Sequence, residues 1–270
     1  MPELPEVEFV RRMLQPAMAR QRFRRVDVHR ADLRIPFPPR FAARLRGRTA
    51  LGVQRRAKYL LVPVSSGETL LVHLGMTGWF EVTRGASTPP ARHDHVVFHM
   101  SSGTIVSFND PRRFGLMDLI PDGELDTYPA LAALGPEPLS AAFTARALAR
   151  AVRGRKTSLK AALLDQRVVA GLGNIYAAEA LHVARLSPSR RASTIATRSG
   201  VPRPEAVRLA AAIKRVLTEA IDRRAQAYGG GRFRVYDREG ERCRRAGCTG
   251  AIRRRTQAGR STFYCPVCQR

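Results

Sequence analysis

The chain has 270 residues, 44% hydrophobic and 26% charged with a single Trp, a composition that supports a sizeable core and two domains. Its 47 Lys and Arg against 22 Asp and Glu leave a net charge of +25, spread along the whole chain and far beyond what solubility requires, so a polyanion is the expected partner. No window approaches eighteen consecutive apolar residues, and the first turns already hold Glu3, Glu6, Glu8, Arg11 and Arg12, so neither a membrane span nor a signal peptide is expected.

Only Lys58, Lys156, Lys160 and Lys214 are lysines, which leaves 43 arginines. Arginine suits bidentate phosphate contact and base stacking, so the composition allows a nucleic-acid partner without proving one.

In chain order, Val7, Val10, Met13, Leu14 and Met18 recur at helical spacing behind Pro5, which predicts a helix from Pro5 to Met18. Short runs rich in β-branched residues follow at Arg25–His29, Ala50–Arg55, Tyr59–Val64, Thr69–Leu74, Val96–Met100, Thr104–Phe108 and Leu116–Ile120. They predict an antiparallel sandwich or barrel, with Ser65-Ser66-Gly67 and Ser101-Ser102-Gly103 as hairpin turns. Near Leu131 the texture becomes Ala- and Leu-rich, and Leu134-Gly135-Pro136-Glu137-Pro138 reads as a linker. Helices are predicted over Ala142–Val152, Leu159–Asp165, Ile175–His182 and Pro204–Arg224. Before the third lies Gly171-Leu172-Gly173-Asn174, a loop whose amides and following helix dipole suit a phosphate, although an ordinary helix–helix turn produces the same pattern.

All four cysteines fall near the C-terminus as Cys243-x4-Cys248-x16-Cys265-x2-Cys268. Two paired clusters across a short loop let four thiolates converge on one structural Zn²⁺, whereas a disulfide framework would be odd without a signal peptide. The surrounding tail is strongly basic, as expected of a finger that grips backbone phosphates. No Walker-type phosphate loop is present, so no nucleotide cofactor is expected.

Proline at position 2 generally permits removal of the initiator Met, which would expose Pro2 as a secondary amine. An unperturbed α-amine titrates near about 8, and a helix N-terminus disfavours the cation, so a partly neutral nucleophile is expected. Such an amine attacking an aldehyde-like carbon gives an iminium ion that promotes elimination next door, with Glu3 placed to carry protons. Asp110 is expected to fix the Pro111-Arg112 turn, and Glu6 to support the N-terminus by hydrogen bonds.

Five segments, in order, resemble the formamidopyrimidine-DNA glycosylases of base-excision repair, and together they span essentially the whole chain. They are Met1-Pro2-Glu3-Leu4-Pro5-Glu6-Val7-Glu8, His73-Leu74-Gly75-Met76-Thr77-Gly78, Asn109-Asp110-Pro111-Arg112-Arg113-Phe114-Gly115, the stretch from Asp165 to Tyr176, and Gly259-Arg260-Ser261-Thr262-Phe263-Tyr264-Cys265-Pro266-Val267-Cys268-Gln269. The resemblance implies an α+β protein with a catalytic β-sandwich domain over 1–131 opened by a helix. It also implies a helix–two-turn–helix domain over 132–234 and a β-hairpin zinc finger over 235–270, with damaged double-stranded DNA between the lobes. Pro2 would displace the damaged base and hold the sugar as a Schiff base, Glu3 would handle protons, and Lys58 would sit near the reacting sugar and phosphate. Asn174 would clamp the flanking phosphate, Arg260 the phosphate on the scissile side, and His73 and Tyr176 would add phosphate contacts. Met76, Arg112 and Phe114 would fill the space left by the flipped nucleotide, since an empty stack recloses.

The implied activity is a bifunctional glycosylase and apurinic/apyrimidinic lyase for oxidised purines, acting by β,δ-elimination as a cytoplasmic monomer at the nucleoid. Two departures stand out. The segment around Gly229-Gly230-Gly231 is shorter than the mobile loop that closes over flipped 8-oxoguanine in bacterial relatives, which favours ring-opened formamidopyrimidines over 8-oxoguanine. The x4 spacing of the first cysteine pair also widens that knuckle. The rival readings are an endonuclease VIII-like enzyme for oxidised pyrimidines and a non-catalytic zinc-finger DNA-binding protein; the latter leaves Pro2, Glu3 and Lys58 unexplained.

Overall fold

An apolar stripe makes the first helix, α1 (Leu4–Met18), where Leu4, Val7, Val10, Leu14, Ala17 and Met18 are buried along one face. Its start is fixed by a capping box in which the Glu3 N–H donates to Glu6 Oε2 at 2.7 Å. The computed structural model describes residues 2–85, 89–224 and 233–270, and the chain divides into two compact units, Met1–Ala132 and Ala133–Arg270.

In the first unit the strands are β1 (Phe23–Val28), β2 (Gln54–Arg56), β3 (Tyr59–Val64), β4 (Glu68–His73), β5 (Trp79–Arg84), β6 (Asp94–Met100), β7 (Thr104–Asn109) and β8 (Leu116–Pro121). They pair antiparallel into two four-stranded sheets, β1-β6-β7-β5 and β2-β3-β4-β8. Leu60, Val62 and Val64 of β3 and Leu70 and Val72 of β4 share one core cluster with Phe98 of β6 and Val106 and Phe108 of β7. Alternate residues of both sheets therefore meet face to face, which makes the unit a sandwich rather than a barrel. The core side of α1 joins the same cluster. Glu8 ties α1 to β2 through Arg55 at 3.2 Å; burial alone would raise its carboxyl, but Arg11, Arg12 and Arg55 outweigh that and hold it low.

Three features of this unit differ from the sequence expectation. β5 was absent from it, because only Phe80 and Val82 alternate before Thr83-Arg84-Gly85 ends the run. The strand expected over Ala50–Arg55 is reduced to Gln54–Arg56, with Ala50 making one isolated bridge to Val64. A short helix, α2 (Phe41–Leu45), buries Phe41 and Leu45 where nothing was predicted.

After a single turn of helix, α3 (Pro129–Ala132), the second unit contains α4 (Ala145–Val152), α5 (Leu159–Leu164), α6 (Asn174–Val183), α7 (Pro204–Arg224) and the hairpin β9 (Arg253–Gln257) and β10 (Arg260–Tyr264). α4 begins three residues later than the periodicity suggests, because Thr144 caps it by accepting the Ala147 N–H at 3.1 Å. Residues 134–138 are packed rather than a free tether: Gly135 donates to the Gln166 carbonyl at 2.8 Å, and a Cβ there would lie 2.5 Å from the Arg167 oxygen. The short segment at Gly229-Gly230-Gly231 lies outside the described residues. Among the described residues no helix is long and apolar enough to cross a membrane.

Candidate active site

Pro2 and Glu3 stand at the head of α1, and α1 packs against β2 and β3, the hairpin whose turn carries Lys58. Glu3 is 3% exposed and Lys58 7%, a degree of burial that lysines and glutamates rarely reach without partners. Ala57 turns that hairpin with φ +54, the left-handed conformation that presents Lys58 at the strand entrance. Across the sheet Tyr59 pairs with His73, and their rings lie 4.9 Å apart.

His73 Nδ1 accepts the Gly75 N–H at 3.0 Å, so the neutral ring carries its proton on Nε2. Burial first, then the charges of Lys58 and Arg34, push this imidazole down to about 4. At neutral pH it is an uncharged Nε2–H donor beside two cations, an arrangement suited to an anionic oxygen. Arg34 was not singled out in the sequence. Its side chain lies in a loop, but its N–H donates to the Gly115 carbonyl at 3.0 Å, which anchors it beside the Phe114 turn.

Met76 and Phe114 belong to turns 74–78 and 110–115, which touch backbone to backbone. Gly75 makes this approach possible: a Cβ there would lie 2.3 Å from the Phe114 carbonyl carbon, and its φ is +63. Asp110, fully buried, locks the pair as expected, accepting from Thr77 Oγ1 at 2.5 Å and from the Gly115 N–H at 2.7 Å. Its carbonyl also takes a hydrogen bond from His95 Nε2 at 2.8 Å. The outcome is a cluster of exposed side chains on a rigid base. Met76 is 42% exposed, Phe114 44%, and the Arg112 guanidinium sits 4.7 Å from the Phe114 ring centroid. A thioether, an aromatic ring and a stacked cation held out to solvent can insert into a stack of bases and hydrogen-bond to one.

In the second unit the Gly171-Leu172-Gly173 loop is clamped by Gln166, whose Oε1 accepts the Gly171 N–H at 2.8 Å and whose Nε2 donates to the Leu172 carbonyl at 2.9 Å. Gly173 is the N-cap of α6, and Asn174 is its first residue. Asn174 Nδ2 donates to the Ser261 carbonyl at 3.1 Å, beside Arg260 at the hairpin turn. Lys160, 1% exposed, reinforces the same joint with bonds to the Ser261 carbonyl at 2.9 Å and Thr262 Oγ1 at 2.7 Å. Asn174 and Arg260, 86 positions apart, thus share one locale, with Arg260 exposed. Tyr176 is 3% exposed on the packed side of α6. Glu179 accepts the N–H groups of Arg234, Val235 and Tyr236 at 2.8, 2.8 and 3.0 Å, which fixes the chain leading to the cysteines.

The four Sγ atoms of Cys243, Cys248, Cys265 and Cys268 lie within 4.8 Å of one another, with Cys243–Cys268 at 3.9 Å and Cys248–Cys265 at 3.6 Å. A tetrahedral ion with bonds of about 2.3 Å to sulfur requires sulfur pairs about 3.8 Å apart, so the cluster fits a metal despite the wider first knuckle. Burial pushes the Cys268 thiol up to about 12, so holding thiolates there calls for a cation. His182 Nε2 lies 3.3 Å from Cys243 Sγ, a neighbour the sequence did not reveal.

A sandwich opened by a helix, a helical unit and a four-cysteine hairpin define the architecture of one class of DNA glycosylases. Residues 1–117 match the formamidopyrimidine-DNA glycosylase N-terminal domain, and residues 134–229 match that family's H2TH domain. A formamidopyrimidine-DNA glycosylase of Rhodopseudomonas palustris (strain HaA2) is 56% identical over 292 aligned positions covering all of both chains. The Lactococcus lactis formamidopyrimidine-DNA glycosylase, solved non-covalently bound to DNA containing an AP site, superposes with a TM-score of 0.87 at 29% identity over all of both chains. A MutM structure in complex with DNA containing carbocyclic 8-oxo-G gives 0.86 at 31% identity, again over both full chains. The chain belongs to the formamidopyrimidine-DNA glycosylase family.

Proposed function

We propose that this protein removes oxidised purines, formamidopyrimidines and 8-oxoguanine, from duplex DNA and cleaves the strand at the resulting site. The reading is carried by full-length identity of 56% to a formamidopyrimidine-DNA glycosylase in a chain that opens Met1-Pro2-Glu3.

With Met1 removed, the Pro2 nitrogen attacks C1′ of the damaged nucleotide and the base departs with the glycosidic electron pair, taking a proton from a nearby acid. Ring opening gives an iminium ion between Pro2 and C1′. The iminium withdraws electrons, so loss of a C2′ proton expels the 3′ phosphate, and a second elimination expels the 5′ phosphate. Water then frees Pro2, leaving a one-nucleotide gap. Glu3 sits beside the amine to move these protons, its own backbone held by Glu6. Lys58 and the His73 Nε2–H, close enough for the lysine charge to depress the imidazole, are the donors we assign to the developing phosphate charge, and a pre-set cation stabilises a leaving phosphate without reorganisation. Met76, Arg112 and Phe114 fill the space of the flipped nucleotide, with Arg112 facing the orphaned base. Asn174 and Arg260 hold the strand, and Tyr176, buried in α6, supports the helix whose first residue is Asn174.

The cysteine cluster holds one structural zinc ion, which supplies folding energy to the hairpin bearing Arg260 and takes no part in the chemistry. The protein acts as a monomer at the bacterial nucleoid. The Pro2→Gly variant tests the reading: it should bind lesion-containing duplex with near-normal affinity yet lose base excision, and full excision by it would remove Pro2 as the nucleophile.

A further inference from the structure

A concavity of about 690 Å³ in the second unit is lined by His182, Val183, Arg215, Arg223, Arg234, Arg244 and Arg245. Arginine makes up 43 of 270 residues, so seven lining positions would carry about one by composition; five are present. None of them belongs to the residues assigned above to the reaction.

The guanidinium groups are held in place by contacts that, among the described residues, use few of their donors. Arg215 Nε reaches Glu219 Oε1 at 2.7 Å, Arg234 Nη2 reaches Glu219 Oε2 at 2.9 Å, and Arg223 Nε donates to the Glu219 carbonyl at 2.9 Å. Arg244 Nη1 donates to the Phe233 carbonyl at 2.8 Å, and Arg245 Nη2 donates to the His182 carbonyl near the end of α6. Each guanidinium carries five N–H donors, and these contacts use a small share of them. Among the described residues Glu219 is the one carboxylate engaged by the five, and Arg245 also faces the Cys268 thiol, so the concavity keeps a positive excess. Gathering like charges in a recess destabilises the fold unless an anion offsets them, and fixed bidentate donors of this kind match phosphate oxygens.

We propose that this recess binds a small, multiply charged phosphate ligand, an oligophosphate or a phosphate monoester. Its volume suits a small molecule, and five converging guanidiniums suit a ligand bearing several negative charges within a few ångströms.

The test uses the zinc-loaded full chain and calorimetric titration with sodium tripolyphosphate and with inorganic phosphate at about 0.15 M salt, where diffuse surface attraction is screened. Saturable one-to-one binding is expected, tighter for tripolyphosphate. The double variant Arg215→Gln/Arg244→Gln removes two exposed side chains and should weaken it about tenfold or more through lost charge-assisted bonds. Arg46→Gln/Arg48→Gln removes the same charge from the first unit and should leave affinity nearly unchanged. Equal weakening by both pairs, or no saturation, would reduce the recess to diffuse charge and overturn the proposal. A hairpin-closed duplex without terminal phosphates should not displace tripolyphosphate; displacement would make the recess part of the DNA-binding surface instead.

Discussion

Gly75→Ala places a methyl group 2.3 Å from the Phe114 carbonyl carbon, 2.4 Å from its oxygen and 2.5 Å from the Gly115 nitrogen. Ordinary carbon contacts begin near about 3.5 Å, so the two turns must part by about 1 Å, and backbone cannot move aside as a flexible side chain would. Overpacking of this kind costs about 1–3 kcal/mol. The φ of +63 adds about 1 kcal/mol for a residue with a Cβ. At roughly 4 °C per kcal/mol for a unit of this size, melting should fall by about 8–16 °C. The larger effect is on catalysis, because Met76 and Phe114 ride on the separated turns and a misplacement of about 1 Å can cost on the order of 100-fold in rate. Gly103→Ala is the control: its φ is +79, but nothing lies within 4 Å of the added carbon. It should show the backbone strain of about 1 kcal/mol alone, with excision intact. Thermal melts by circular dichroism and single-turnover excision at 25 °C, with enzyme in excess over an 8-oxoguanine duplex, read both quantities. A Gly75→Ala enzyme that excises within about threefold of the parent, or no worse than Gly103→Ala, would refute the rigid coupling of the two turns to base extrusion.

His73, pushed down to about 4 by burial and then by Lys58 and Arg34, should titrate there by NMR, and a ring titrating near 6.5 would contradict the buried donor. Its folded value lies below the unfolded one, so the unfolded chain binds more protons between the two. Stability should therefore decline as pH falls from about 6.5 towards 4, and His73→Gln should flatten that decline in urea unfolding measured at pH 7 and pH 5. Removing the metal with a chelator, or Cys265→Ala, should disorder the hairpin and weaken duplex binding through loss of the fixed Arg260. Unchanged affinity with metal analysis showing none bound would separate the finger from DNA binding.

How much of this was legible beforehand depended on the range of the interaction. Local periodicity placed α1 to within a residue and α7 at its bounds, and the Ser-Ser-Gly turns before Gly67 and Gly103 were correctly read as hairpins. β5 escaped because two alternating apolar residues are too few to register against the polar run behind them. The cysteine site was legible because four thiols in two spaced pairs are an unusual pattern, and the structure brings their sulfur atoms within 4.8 Å of one another. Pro2, Glu3 and Lys58, by contrast, stood out only through the family resemblance, since a proline, a glutamate and a lysine beside a strand are each ordinary alone. The Asn174 and Lys160 joints to Ser261 were not, since they span 87 and 101 residues and end on a backbone carbonyl that carries no sequence signature. The arginine recess gathers residues from α6, α7 and the cysteine knuckle, each ordinary alone in a chain this rich in arginine.

The central claim is that the Pro2 amine becomes covalently joined to the damaged sugar. Borohydride reduction of the purified protein on a duplex with one 8-oxoguanine opposite cytosine, and on an abasic duplex, tests it directly, with the adduct located by peptide mapping. The account predicts a trapped complex on both substrates, attached at Pro2. No adduct despite tight binding and a Pro2 N-terminus, or an adduct on another amine such as Lys58, would contradict it.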